Sequence, residues 1–260
     1  MTSTTESLRL AVSGTYSSGK TTTTEALSRW VNLPRTQART MRELLPEAIP
    51  GKALEDCSPS ELFQLGIMRL TERVAREAAM EGSWVSDGSS LHEWVYGKAR
   101  LQAGINPNDG VLLRNAKRLA MLPYRRFVEE VNDAFGAVAK RHAKKTYGTF
   151  IHLPVEFPLT PDGHRPVSEK FRRLSDELLI RTLRELEIPY HIVSGTIERR
   201  LERIAEIFDL QPVMPLTAAI EDAKKEVARL HRAIEHDAQV AALRRQTMPL
   251  YLRIKQHLST

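Results

Sequence analysis

Short apolar clusters along this chain alternate with longer stretches in which apolar residues return every three or four positions, a pattern of strands feeding into helices. Leu8, Leu10 and Val12 form a period-two run near the N-terminus, and Thr21 to Trp30 reads as a helix behind it. Val31–Arg39 is a second strand or an extended loop, whereas Met41–Asp56, punctuated by Pro46, Pro50 and Gly51, reads as irregular. A long helix is expected from about Pro59 to Glu81, with Leu62, Leu65, Ile67, Leu70 and Val74 at near-helical spacing. Ser58 is placed to cap it, with Pro59 in the first turn and Glu61 closing a capping box. Gly82 stops the helix, and Trp84-Val85-Ser86 is a short strand leading into Asp87.

Ser90 to about Lys145 is mostly helical in pattern, broken at Gly104–Gly110, and reads as a helical insertion over a site. Phe150–Pro154 and Pro189–Val193 are further strands, separated by a basic segment and a helix from about Ser168 to Leu186. Strands alternating with helices predict an α/β fold, a parallel sheet flanked by helices. Beyond Phe208 the texture changes. Leu216–Leu258 contains no glycine, and Ile220, Ala223, Val227, Leu230 and Ile234 form a short heptad seam that ends at Asp237. Two readings follow: a helix docking on its own domain, or a homodimer through the C-terminal helices. The expected organisation is one domain over residues 1–210, with its insertion at about 90–145, and a C-terminal helical extension over 211–260.

Gly14-Thr15-Tyr16-Ser17-Ser18-Gly19-Lys20-Thr21 is a complete Walker A phosphate-binding loop, G-x-x-x-x-G-K-[ST], between the first strand and the first helix. Its glycines let successive backbone N–H groups converge on phosphate oxygens, and the helix N-terminus adds partial positive charge. Gly14 through Thr22 are therefore the expected ATP-binding residues, with Lys20 on the β/γ-phosphates and Thr21 on Mg²⁺. Asp87, at a strand-to-loop switch, is the carboxylate expected to complete the metal shell; a turn or capping aspartate is the other reading.

Downstream of it, His92, Glu93 and Tyr96 share one helix, with residues 92 and 96 on the same face, and are expected to touch an acceptor. A second cationic group, Asp162-Gly163-His164-Arg165-Pro166 followed by Lys170, Arg172 and Arg173, can close over a triphosphate and neutralise charge on the transferring group.

Lys and Arg outnumber Asp and Glu by 38 to 32, a net charge of +6 that suits an anionic ligand and is too mild to establish nucleic-acid binding. Cys57 is the one cysteine, which excludes an intramolecular disulfide and a cysteine-rich metal site. No apolar run is long enough to span a membrane and Met1–Arg9 lacks the apolar core of a secretory leader, so the expectation is a soluble, cytoplasmic protein.

The loop at residues 14–21, Asp87 in the middle, the Asp162-Gly163-x-Arg165 turn and the helix and Ile188-Pro189-Tyr190-His191-Ile192 strand that follow resemble P-loop kinases of the nicotinamide-riboside-kinase type, over roughly residues 8–210. The resemblance implies a lid role for Arg165 and a magnesium or catalytic role for Asp87. Asp87 followed by Tyr96 is also similar to thymidylate-kinase-type enzymes, where a tyrosine on the next helix faces the acceptor. Arg39 and Arg42 lie where such kinases hold substrate. The acidic residue such kinases carry beside the second strand is missing, since Pro34–Arg42 contains no Asp or Glu. The implied activity is ATP- and Mg²⁺-dependent phosphotransfer to a hydroxyl of a nucleoside, riboside or natural product. The other reading is a nucleotide-gated ATPase whose C-terminal helices bind a protein or nucleic-acid partner.

Overall fold

The computed structural model describes residues 7–52, 54, 57–103, 111–156 and 169–247. Five parallel strands form one sheet: β1 (Arg9–Ser13), β2 (Arg35–Gln37), β3 (Trp84–Asp87), β4 (Thr149–His152) and β5 (Tyr190–Ile192), in the order β2-β3-β1-β4-β5. Alternation along the strands loads both faces. Leu10, Val12, Val85 and Ile151 point into one core with α1 (Lys20–Val31), α7 (Ile197–Phe208) and the start of α8 (Leu216–Thr247). Ala11, Trp84 and Phe150 point into the other, with α4 (Ser90–Ala103), the C-terminal part of α5 (Val111–Thr146) and α6 (Glu169–Glu185). The fold is a P-loop NTPase sheet with helices on both sides, as the alternation predicts. Among the described residues no helix is long and apolar enough to cross a membrane.

Two expectations need correction. Met41–Ala48, read as irregular, is a helix (α2), because Thr40 and Glu43 form a reciprocal capping box and Leu44 and Leu45 are buried with Leu65. Pro46 is tolerated because the helix is short and its apolar face is covered. In α3 (Pro59–Ala78) the Ser58–Glu61 box forms as expected, but Ile67 does not join the buried stripe and is 43% exposed. Arg73 and Glu77 occupy the inward face instead.

The heptad seam divides. Ile220 and Ala223 are buried against Leu27, Trp30 and Leu201 in the first core, and Val227, Leu230 and Ile234 line the central cavity described below.

Candidate active site

The phosphate-binding loop leaves the central strand at the edge of the sheet where strand C-termini gather. Register places Val12 beside Asp87 and Ser13 beside His152, so the residues following β1, β3 and β4 converge. Gly14 sits at φ +145, and a Cβ there would lie 2.6 Å from the Leu153 carbonyl oxygen, so the loop passes too close to the end of β4 for any side chain. Gly19, left-handed at φ +84, turns the chain into α1. Ser18 Oγ donates to the Thr15 carbonyl at 3.0 Å and the Lys20 ammonium donates to the same oxygen at 2.5 Å, which lays the lysine across the loop.

Three side chains from elsewhere hold this loop. Arg200 of α7, 3% exposed, donates to the Ser18 carbonyl at 2.6 Å and to Glu156 at 2.9 Å, while Glu156 also accepts from the Gly195 N–H. His92 accepts the Ser89 N–H at Nδ1 (2.9 Å), which leaves Nε2–H to donate to the Gly14 carbonyl at 3.1 Å. Burial, with the nearby cations Lys20 and Arg73, holds its imidazole well below the usual histidine range, so the ring is neutral. Tyr96 donates to the Gly14 carbonyl at 3.4 Å and stacks on Tyr16 at 4.7 Å between ring centres, and both rings contact Phe171.

Asp87 ends β3 with one carboxylate oxygen 3.0 Å from Arg35, which also pairs with Glu25. Behind it lies a buried polar network. Arg73 donates to Ser86 Oγ (3.0 Å), to Glu77 (3.3 Å) and to the Asp87 carbonyl (3.2 Å). Tyr147 donates to Glu77 at 2.9 Å and accepts the Ser90 N–H at 3.1 Å. Burial, followed by the Glu77 charge, pushes the Tyr147 phenol up, so it remains a donor. The network fixes the backbone at the β3–α4 junction, and with it the position of Asp87. Ser13 Oγ lies 3.1 Å from His152 Nδ1, and His152 Nε2 lies 3.0 Å from Asp176 without an aligned hydrogen bond among the described residues; Ser13 and His152 are buried and do not line the cavity.

Loop and junction open onto a cavity of about 1160 Å³. Tyr16 through Thr22, Arg42, Asp87, His92, Glu93 and Tyr96 all line it, so most of the residues singled out from sequence meet in one place. Glu93 is paired with Arg69 at 3.2 Å, its side chain only 1% exposed, without an aligned hydrogen bond to either carboxylate oxygen among the described residues.

Others are placed differently. Arg39 turns to Glu47 and Glu72, at 2.9 and 3.0 Å, and does not line the cavity. His92 has both ring nitrogens committed within the chain. Arg172 is fully buried and bonds Glu169 at 2.9 Å, and Arg173 lies on the exposed side of α6. Arg165 and its turn lie outside the described residues.

Arg200, Arg35, Arg69 and Arg73 carry much of the site and were not singled out. Their local sequence gives no signal, because a basic residue in an amphipathic helix, or in a short edge strand as Arg35 is, reads as solvated unless its partner is known.

A family model described as AAA domain matches residues 9–200. The chain belongs to that family. Among solved structures, this AAA domain is similar to deoxyadenosine kinase from M. mycoides with products dCMP and a flexible dCDP bound. That likeness is 12% identical, covers 78% of this chain and 98% of that chain, and has a TM-score of 0.47. The same enzyme with bound dATP gives 14% identity, 78% and 100% coverage and a TM-score of 0.49. NadR protein in complex with NR gives 19% identity and a TM-score of 0.47, covering 78% of this chain and 51% of that one, so the chain spans about half its length. Comparison with curated proteins finds no match.

The site suits a nucleoside triphosphate. The curled loop, its converging amides and Lys20 form an anion cradle at the start of α1. Among the described residues no group of three or more His, Cys, Asp or Glu could hold a metal alone. A cation here would need oxygens of the bound phosphates together with the Thr21 hydroxyl and Asp87, which is the donor set of P-loop magnesium sites.

Proposed function

We propose that this AAA domain is a Mg²⁺- and ATP-dependent phosphotransferase that phosphorylates a hydroxyl of a small molecule. The observation that carries the reading is that the formed P-loop, Asp87 and Glu93 line one cavity large enough for phosphates and acceptor together. Lys20 and the loop amides would hold the β/γ-phosphates, and Thr21 and Asp87 would hold the metal, whose charge neutralises phosphate oxygens. In the transfer, the acceptor oxygen bonds to the γ-phosphorus as the bond to the β–γ bridging oxygen breaks. The hydroxyl proton passes to Asp87 or Glu93 and on to water, and ADP leaves. Arg165 serves as the lid cation. The assignment keeps Arg42, Glu93 and Tyr96 at the acceptor and gives His92 to loop positioning, since its nitrogens are engaged. We place this chemistry in a cytoplasmic protein, within a unit spanning residues 1–210.

One observation favours a second reading, a nucleotide-gated switch. α8 packs along α1, the helix that begins at Lys20, so order at the phosphates has a direct path to the C-terminal helix.

The test is ADP release with Mg²⁺-ATP across nucleosides, ribosides and hydroxylated natural products, with mass detection of phosphorylated product. An acceptor that raises ADP release many-fold supports the kinase. Slow hydrolysis indifferent to every acceptor, with nucleotide-dependent association, supports the switch. Lys20→Ala is expected to abolish transfer, because the phosphates lose their fixed cation; near-normal turnover in that variant sinks the P-loop assignment.

A further inference from the structure

The cavity has two chemically different ends. At one lie the P-loop, Asp87 and the Glu93–Arg69 pair. The rest of the wall, contributed by α3, α5 and α8, is built mainly from Leu62, Phe63, Val131, Phe135, Leu230 and Ile234, interrupted by Ser60, Asn132, His231 and Glu235. Phe63 and Phe135 meet edge to face at 5.7 Å across the α3–α5 boundary. Phe127, which also lines the cavity, is 67% exposed and so presents an aromatic ring to solvent at its rim. The volume, about 1160 Å³, exceeds the ~300–1000 Å³ of ordinary small-ligand pockets.

We propose that the cavity binds an alcohol with an extended apolar body, and that this is the acceptor class of the phosphotransferase. The proposal rests on the phosphotransfer reading for the word acceptor and on the cavity alone for the binding. A hydroxyl donates to the Glu93 carboxylate, which is almost fully buried and has no aligned hydrogen bond to either oxygen among the described residues. Arg69 and Arg100 line the cavity too, and their buried Nε–H groups have no hydrogen-bond partner among the described residues, so a head with a second oxygen has donors nearby. A vicinal diol offers a hydroxyl donor and that second oxygen.

The body of the ligand then lies along the apolar wall, where each buried methylene adds affinity. A nucleobase on that wall would find polar partners only at Ser60, Asn132, His231 and Glu235, and against the aliphatic and aromatic remainder its polar edge carries a desolvation cost. Leu230 and Ile234 of α8 line the cavity, so the wall is continuous from α3 to the C-terminal helix.

Calorimetry on the full chain with 1,2-alkanediols of four to twelve carbons, kept below micelle concentrations, tests the binding, and ADP release with mass detection tests the transfer separately. Affinity is expected to rise about fourfold per added methylene until the wall is covered. Phe127→Ser, at an exposed position that does not put folding at risk, should weaken dodecanediol about tenfold and leave butanediol unchanged. Val213→Ser, exposed and off the cavity, should change neither.

Affinity independent of chain length overturns the proposal, as does tighter binding of a polar nucleoside, or of an amphipathic helical peptide that displaces the diols. Length-dependent binding with no phosphate gained by any diol keeps the apolar site and overturns its assignment as the acceptor class, while the phosphotransfer reading stands or falls on the wider panel.

Discussion

Arg200 shows how a single side chain can set the shape of a phosphate loop. Its guanidinium reaches from α7 to the Ser18 carbonyl and to Glu156, and replacing it by alanine leaves the buried Ser18 carbonyl without this donor, while Glu156 keeps the Gly195 N–H. Arg200→Ala is expected to lower stability by about 1–3 kcal/mol. It should raise the KM for ATP severalfold with little change in kcat, because loop shape governs ground-state binding. Thermal melting and steady-state kinetics check both; an unchanged KM would detach Arg200 from the loop's function.

His92 belongs to the same scale. Its folded-state value is depressed, so below about pH 6.5 the unfolded chain takes up a proton that the folded chain refuses. Stability is then complete above about pH 7 and falls on acidification, by up to ~1.4 kcal/mol per pH unit. His142, depressed mainly by burial, acts in the same direction. Melting from pH 7.5 to 5.5 should show this fall, and His92→Gln should be less stable at pH 7.5 but lose less on acidification. A variant with the wild-type slope would exclude His92 as the titrating group.

At the scale of the element, α3 is the instructive case. Its caps are legible in Ser58-Pro59-Ser60-Glu61, since capping is a local exchange of hydrogen bonds between neighbours. Its buried face is legible only in part. Apolar spacing points to Leu65 and Leu70, which are buried, and to Ile67, which is not, while Arg73 and Glu77 also take inward positions because Ser86 and Tyr147 supply partners for the charges. Tyr147→Phe removes the donor to Glu77 and the acceptor of the Ser90 N–H, and should cost about 1–3 kcal/mol by chemical denaturation. A neutral result would mean that the network does not hold the β3–α4 junction. In α2 the signal was present and outweighed. The Thr40–Glu43 box is readable, but Pro46 reads as a breaker unless burial of Leu44 and Leu45 is known.

For the whole molecule, α8 decides where the chain's apolar surface goes. Ile220, 3% exposed in the core shared with α1 and α7, is expected to cost about 2–4 kcal/mol on truncation to alanine. A denaturation midpoint indistinguishable from wild type would place α8 off the domain. The same helix carries Leu230 and Ile234 to the cavity, so one seam serves core and site in succession.

The amino-acid sequence alone determined the order of the strands and most of the helices, the phosphate loop, Asp87 at a strand end and the cap of α3, because each is written in near neighbours through periodicity, backbone freedom or local hydrogen bonding. Only the tertiary structure decided which arginines are buried, that the His92 nitrogens are taken by the Ser89 N–H and the Gly14 carbonyl, that Arg39 turns away, and that α8 walls the cavity. Those outcomes depend on partners from distant parts of the chain. A charged or polar side chain looks the same in sequence whether its partner is water or a buried carbonyl, and the fold alone supplies the difference.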